Sequence, residues 1–483
     1  MPTYLSPGVY VEEVPAGVQS IEGVGTSTGA FVGMAERGEL NSPKLITNFT
    51  QFVNTFGTFI SDSYLAYTVF GFFAEGGTRC YVTRVAGSGA AKSSISLDSG
   101  NLDLEATSEG TWGDRITYSV EAASGGGDYN LRITYTTTAD TETVELYEDL
   151  TAATAIAAIN GVSAFVTVTA STATPSVGTG PLQSGADAVA TPTELLGAAT
   201  PTRTGLYTFD TIDDINILAI PDLAGQSAET LSALGYCDLR GDCFFLVDPP
   251  SGLDADGVRN YRQGGGGQAL NSDYGAIYFP WVIVSDPLNP GSTKAVPPSG
   301  VVAGTYANTD ETRGVHKAPA GTNDGFLNSV VGVESQVTKG EQDILNPIGV
   351  NVVRSFPQAG IVIWGARTLS TDSQWRYVNV RRLLLFIGES LDEGSQFVVF
   401  EPNDPTLWGK VRRTLNAFLT RVWRDGALFG ATPEEAFFVK VDEENNPPEV
   451  RDAGQLIIDV GVAPVKPAEF VVIRISQQTQ AGS

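Results

Sequence analysis

The chain has 483 residues, enough for about three domains at the usual ~150 residues each. Hydrophobic residues make up 42% and charged residues only 17%, which excludes disorder as the dominant state. With 29 Lys and Arg against 55 Asp and Glu, the formal net charge is −26, a field that repels phosphate backbones and anionic lipid surfaces and so excludes a general nucleic-acid binder.

No run of roughly 18 or more apolar residues is present to span a bilayer. The N-terminus lacks a signal-peptide pattern, because the first Arg is Arg37 and Pro7-Gly8 interrupts the short apolar stretch before it. The expectation is a soluble protein made in the cytoplasm.

In chain order, the first predicted element is a strand formed by Val9, Tyr10, Val11, Glu12, Glu13 and Val14, fenced from the body of the chain by Pro15 and Gly17. Residues 93–202 then shift in composition toward Thr, Ala, Ser and Gly, with Arg115 and Arg132 as the only cations. Within them Ile116, Tyr118 and Val120, and then Leu131, Ile133 and Tyr135, alternate with polar residues. Residues 144–147 and 165–168 read as further strands, so this stretch is predicted to be a β-rich insertion bounded by Gly87-Ser88-Gly89 and a turn-rich exit at 174–185. The flanking sequence mixes apolar strand runs at 217–220, 243–247 and 361–364 with longer helical patterns, and the predicted class is therefore α/β. One helix is predicted from about Val380 to Leu391, with Arg381 and Arg382 at its start. A second has Asp404 as N-cap, Pro405 at its first position, an apolar face of Leu407, Val411, Leu415, Phe418, Leu419 and Val422, and Gly426 as its stop. Its other face carries Lys410, Arg413, Arg421 and Arg424, a basic stripe on an acidic chain. The last predicted strand holds Phe470, Val471, Val472, Ile473 and Ile475, beyond Pro464 and Pro467. The predicted organisation is an N-terminal arm (1–24), a mixed α/β core in two parts (25–92 and 203–465), the inserted domain (93–202) and a C-terminal arm (466–483).

The search for chemistry returns no constellation. Cys80, Cys237 and Cys243 are too few and too irregularly spaced for a disulfide framework or a zinc site, and read as buried thiols. Gly264 to Gly267 lack the Lys-Ser or Lys-Thr of a phosphate-binding loop. Asp254 and Asp256 open like a calcium loop, but Gly257 falls too early and no Glu closes it. His316, the single imidazole, has no nucleophile elbow around it. Neither an enzyme, a cofactor nor a metal is expected.

Several blocks in order resemble the contractile tail sheath family of myovirus-type phage tails and phage-tail-like injection systems. They begin with Tyr4-Leu5-Ser6-Pro7-Gly8-Val9-Tyr10-Val11-Glu12-Glu13 and Ala30-Phe31-Val32-Gly33. Next come Pro298-Ser299-Gly300 with Ala303-Gly304, Leu345-Asn346-Pro347-Ile348-Gly349-Val350-Asn351 and Trp364-Gly365-Ala366-Arg367-Thr368. The last are Arg381-Arg382, Phe400-Glu401-Pro402-Asn403, Trp423-Arg424-Asp425-Gly426 and Ala463-Pro464-Val465-Lys466-Pro467. The resemblance implies a structural subunit assembled in the cytoplasm that stacks as hexameric rings around an inner tube and contracts to drive the tube through a target envelope. Its implied partners are further copies of itself, the tube protein, and baseplate and tail-terminator or cap proteins, with neither nucleic acid nor stable membrane insertion. It also implies that the terminal arms exchange strands between neighbours, and the basic stripe is expected to meet the tube or an adjacent subunit. A two-protein secretion-system sheath is disfavoured because one chain carries both arms. A hydrolase using His316 or a carboxylate pair explains none of these blocks.

Overall fold

Strands without a polar position decide the architecture of the first unit. Gly29–Gly33, Ile217–Ala219, Phe244–Val247 and Gly275–Phe279 bury every residue, so both faces of the sheet they form must be covered, as in parallel α/β sheets. The computed structural model describes residues 21–123, 125–265, 267–470 and 472. It shows an eight-stranded sheet in the order Lys44–Ile46, Cys80–Arg84, Gly29–Gly33, Ile217–Ala219, Phe244–Val247, Gly275–Phe279, Val350–Phe356 and Gly360–Ile363. The six inner strands are parallel, and one antiparallel strand closes each edge.

Helices Leu65–Ala74 and Ser299–Arg313 lie against each other through glycines. A Cβ on Gly300 would stand 2.6 Å from the Thr68 backbone and one on Gly304 would stand 2.4 Å from the Phe72 carbonyl oxygen, so only glycine allows this approach. The Gly300 and Gly304 block noted in the sequence is thus a packing notch. Asn351, fully buried, receives the Arg367 backbone N–H at 2.7 Å and donates to the Ile277 and Arg367 carbonyls, which knits two other blocks together.

The insertion is built on two sheets, one of Ser94–Leu97, Leu102–Ala106 and Val166–Ser171, the other of Gly178–Pro181, Ile116–Ala122, Tyr129–Thr136 and Glu142–Leu150. Leu131, Ile133 and Tyr135 point into a separate apolar cluster with Trp112, Val120 and Phe165, as their alternation requires. The edge strand Glu142–Leu150 turns Val144 and Leu146 outward among four acids, charges that discourage edge-to-edge pairing. The exit lies earlier than the composition suggested, since Ala190 and Leu195 belong to the apolar cluster of the large sheet. The chain leaves and returns side by side, with Ala91 bridged to Ala186 and the Gly87 N–H donating to the Ala188 carbonyl at 2.9 Å.

The chain divides into two compact units, Gly25–Arg382 and a second formed from Leu383 onward with residues 21–24. This differs from the expected single core reaching residue 465. The physical reason is that the helix Pro405–Arg424 turns its apolar face to its own neighbours: Phe418 packs on Phe386 at 6.0 Å between ring centroids, and the helix contacts the strand Phe437–Lys440. That strand pairs antiparallel with Asp459–Val462 to make a two-stranded sheet. Among the described residues, neither strand has a second partner strand.

Candidate functional site

Asp404 caps the helix Pro405–Arg424 as its sequence requires, accepting from the Leu407 N–H at 2.8 Å. The cap places Lys410, Arg413, Arg421 and Arg424 on one face, opposite the buried Trp408, Leu415 and Leu419. The structure therefore brings the predicted basic residues together. The Lys410 Nζ lies 4.6 Å from the Phe397 ring centroid, Arg421 donates to the Ile21 carbonyl, and Arg413 and Arg424 stand in solvent. No ion pair to any of the four occurs among the described residues. Arg412, another exposed cation, points away from the stripe and was not singled out in the sequence.

The predicted arm residues Val9, Tyr10, Val11, Glu12, Val14, Val471, Ile473 and Ile475 lie outside the described residues. Phe470 and Val472 are described, and both are exposed and outside any strand, which departs from the strand expected there. The roots of both arms belong to the second unit. On the N-terminal side the Val24 N–H donates to the Ser390 hydroxyl at 3.1 Å, and Ile21 sits where a Cβ on Gly394 would be, 2.5 Å from its side chain. On the C-terminal side residues 463–465 run beside 427–429, with the Phe429 N–H donating to Ala463 at 2.7 Å and the Val465 N–H to Ala427 at 3.1 Å. Around the two-stranded sheet Phe429 and Phe438 are exposed, and Phe438 lies over Gly461. These aromatics were not singled out in the sequence, because Phe438 reads as an ordinary strand residue until its sheet proves to be only two strands wide.

The two acids that open like a calcium loop in the sequence hold structural posts. Asp254 caps the helix Ala255–Arg262, accepting from the Gly257 N–H at 2.7 Å, and Asp256 pairs with Arg259 at 2.9 Å. The His316 carbonyl accepts from Asn379 at 2.7 Å. Among the described residues no group of three or more His, Cys, Asp and Glu is placed to hold a metal ion. Arg382 and Asp310 form a buried two-bonded pair at 2.9 and 2.6 Å, and Arg382 also donates to the Thr26 carbonyl. Burial pushes the Asp310 carboxyl up and the guanidinium pulls it back. A cleft of about 380 Å³ opens at the carboxyl ends of Gly29–Gly33 and Cys80–Arg84, lined in part by Met34, Arg84, Trp112, Arg115 and Asp187. The Arg84 guanidinium donates to the Ala35, Gly38 and Glu109 carbonyls, and one terminal nitrogen of Arg115 donates to the Glu36 carboxylate and the Tyr135 hydroxyl. Among the described residues no helix is long and apolar enough to cross a membrane.

Family models for the phage tail sheath protein central domain and the phage tail sheath C-terminal domain match residues 205–369 and 370–478, together over half of the chain. The chain belongs to the contractile tail sheath family. This is a family of structural proteins. The tail sheath protein of Vibrio phage KVP40 is 27% identical over 254 residues, covering 49% of this chain and 37% of the relative. That of Enterobacteria phage T4 is 24% identical over 279 residues, covering 54% and 41%. The match thus spans less than half the length of these two relatives. Solved sheath chains are matched almost end to end. The helical sheath of the anti-feeding prophage in its contracted state has a TM-score of 0.62 at 25% identity, with 99% of this chain and 100% of the other covered. The contracted sheath complex of the extracellular contractile injection system PVC has the same fold, with a TM-score of 0.62 at 23% identity and 99% of both chains covered.

Proposed function

We propose that this chain is the subunit of a contractile sheath that stacks as hexameric rings around an inner tube and shortens to drive that tube through a target envelope. The observation that carries the reading is the correspondence of fold, over nearly the whole of both chains, with a sheath of the anti-feeding prophage in its contracted state. No nucleotide or cofactor enters the mechanism. The work comes from a metastable assembly relaxing through rearranged subunit interfaces, with each body keeping its packed core. The partners are further copies of the chain, a tube protein, a baseplate and a terminator or cap protein. Assembly takes place in the cytoplasm, and the product is a virion tail or an injection particle.

In this reading the arms (1–24 and 466–483) add strands to a neighbour's two-stranded sheet. The rooting of both arms in the unit that carries this sheet supports it, as does the lack, among the described residues, of a second partner strand for Phe437–Lys440 or Asp459–Val462. A sheet of two strands is marginal in water, and its free backbone groups accept an added strand. The basic stripe docks on an acidic surface of the tube or of a neighbour in the extended state. Each exposed pair contributes only about 0.2 to 1 kcal/mol, but the contact repeats in every subunit and is broken cooperatively.

Electron microscopy of the purified protein tests the reading, with hollow striated polymers as the expected product. Discrete globular particles at every concentration would overturn it. In the same experiment R421E/R424E is expected to abolish extended, tube-filled particles while leaving contracted polymers, and normal numbers of tube-filled particles would remove the stripe from the mechanism.

A further inference from the structure

We propose that Cys237 and Cys243 are an oxidisable pair that closes to an intrachain disulfide in contact with a small disulfide oxidant, fastening the helix Ser227–Arg240 to the strand Phe244–Val247. The two Sγ atoms are 3.1 Å apart, about 1 Å longer than a covalent S–S bond. Both cysteines are reduced and fully buried in the apolar cluster of the large sheet.

The turn between them holds the sulfurs in place. Gly241 ends the helix in the left-handed region, at a φ of 76°, where a side chain would strain the turn. Arg240 then pins the turn from inside, donating to the Phe209 carbonyl at 2.7 Å, the Ile212 carbonyl at 2.8 Å and the Asp242 carboxylate at 2.6 Å. Closing the remaining gap therefore asks for side-chain rotation and little backbone movement.

The chain around the pair reaches the surface: Leu239 is 88% exposed, and Asp238 and Gly241 are also exposed, so a transient local opening that releases the Arg240 contacts brings a reagent to the sulfurs. Burial pushes the Cys243 thiol up, and Cys237 beside it adds to the effect, so the closed form keeps its proton and reaction waits for that opening. Cys80 supplies an internal control. It is buried on a different strand, and its register partners are Gly29 and Ile46.

The step is thiol–disulfide exchange. One protein sulfur, as thiolate, attacks a sulfur of oxidised glutathione, breaks its S–S bond and releases one glutathione. The other protein sulfur attacks the mixed disulfide and releases the second. The two thiol protons end on two glutathione molecules. The cysteine pair loses two electrons, and the oxidant gains them.

The test uses full-length folded protein incubated with oxidised glutathione, then denatured and alkylated. The expected product is about 2 Da lighter than the reduced protein before alkylation and takes up one alkyl group, at Cys80, where the reduced protein takes up three. Trypsin cuts after Arg240, so the bond appears as two peptides joined through Cys237 and Cys243. The melting temperature is expected to rise by roughly 2 °C, to return with dithiothreitol, and not to rise in C237S or C243S, while C80S behaves as wild type. Three alkylated cysteines after the incubation, or a glutathione adduct that persists on either residue, would overturn the proposal.

Discussion

Asp248, which comes directly after the strand Phe244–Val247, is buried and accepts the Ser299 N–H at 3.0 Å through one carboxylate oxygen. Burial drives its pKa up to about 7, with nearby Asp222 adding repulsion. The folded protein therefore holds this proton where the unfolded chain, at a pKa of ~3.9, has lost it. The stabilisation is complete below about pH 4 and is lost as pH rises toward 7, by up to about 1.4 kcal/mol per pH unit. Thermal melts between about pH 4.5 and 7 should show a steeper decline in the wild type than in D248N. Parallel declines would mean that the carboxyl ionises freely in the fold. Gly304 poses an opposite test of local preference against packing. Alanine in a helix gains up to about 1 kcal/mol over glycine, whereas overpacking costs about 1 to 3 kcal/mol. A Cβ at 2.4 Å from a backbone oxygen cannot be relieved by a side-chain rotation, so packing should win and G304A should lower the melting temperature. An unchanged or higher value would show that the two helices can separate without loss.

Among the elements, the insertion combines easy covalent detachment with firm docking. Its two connections are paired at Ala91 and Ala186, so replacing residues 92–185 with a short Gly-Ser linker closes a gap of about 5 Å. Yet Arg37 lies over the rings of Trp112, Tyr135 and Phe165 at 5.0 to 5.9 Å, and Arg84 donates to the Glu109 carbonyl at 2.8 Å. The truncated chain should therefore fold and polymerise with a stability loss of about 1 to 3 kcal/mol, read as a lower melting temperature alongside normal striated polymers. A folded truncation that stays monomeric would make the insertion part of the subunit interface. These elements also mark what was legible beforehand. Asp404, Pro405 and the apolar spacing to Val422 specify a helix locally, and Leu131, Ile133 and Tyr135 specify a strand, because each signal lies within a few residues. The strand order, the packing notch at Gly300 and Gly304 and the separation of the second unit were not legible, because they depend on partners far away in sequence. Arg382 was visible as a cation at a helix start, but its burial against Asp310 is a contact across 72 positions. The basic stripe was legible for the same local reason as its helix, and the exposed aromatics beside the two-stranded sheet were not.

At the scale of the molecule, the two units divide the labour that the proposed function demands. The first has a buried, mostly parallel sheet with its own covering helices. The second holds a sheet that has two strands among the described residues, and the roots of both arms. Deleting residues 1–16 or 468–483 should leave a folded protein with an unchanged circular-dichroism spectrum that no longer stacks in the microscope. Each large apolar side chain removed, such as Val9, Val11, Phe470 or Val472, takes away on the order of 1.5 to 3 kcal/mol of burial if its strand is fully covered by a neighbour. Normal tubes from either deletion would show that the arms do not hold the polymer together. The paired connection at Ala91 and Ala186 has a further use. A foreign domain whose own ends lie close together can be spliced there in place of the natural one, leaving the registers of the large sheet untouched. In a helical polymer each subunit would carry one guest, at a spacing fixed by the lattice, so an antigen or an enzyme built into this position would be displayed as a regular array along the particle.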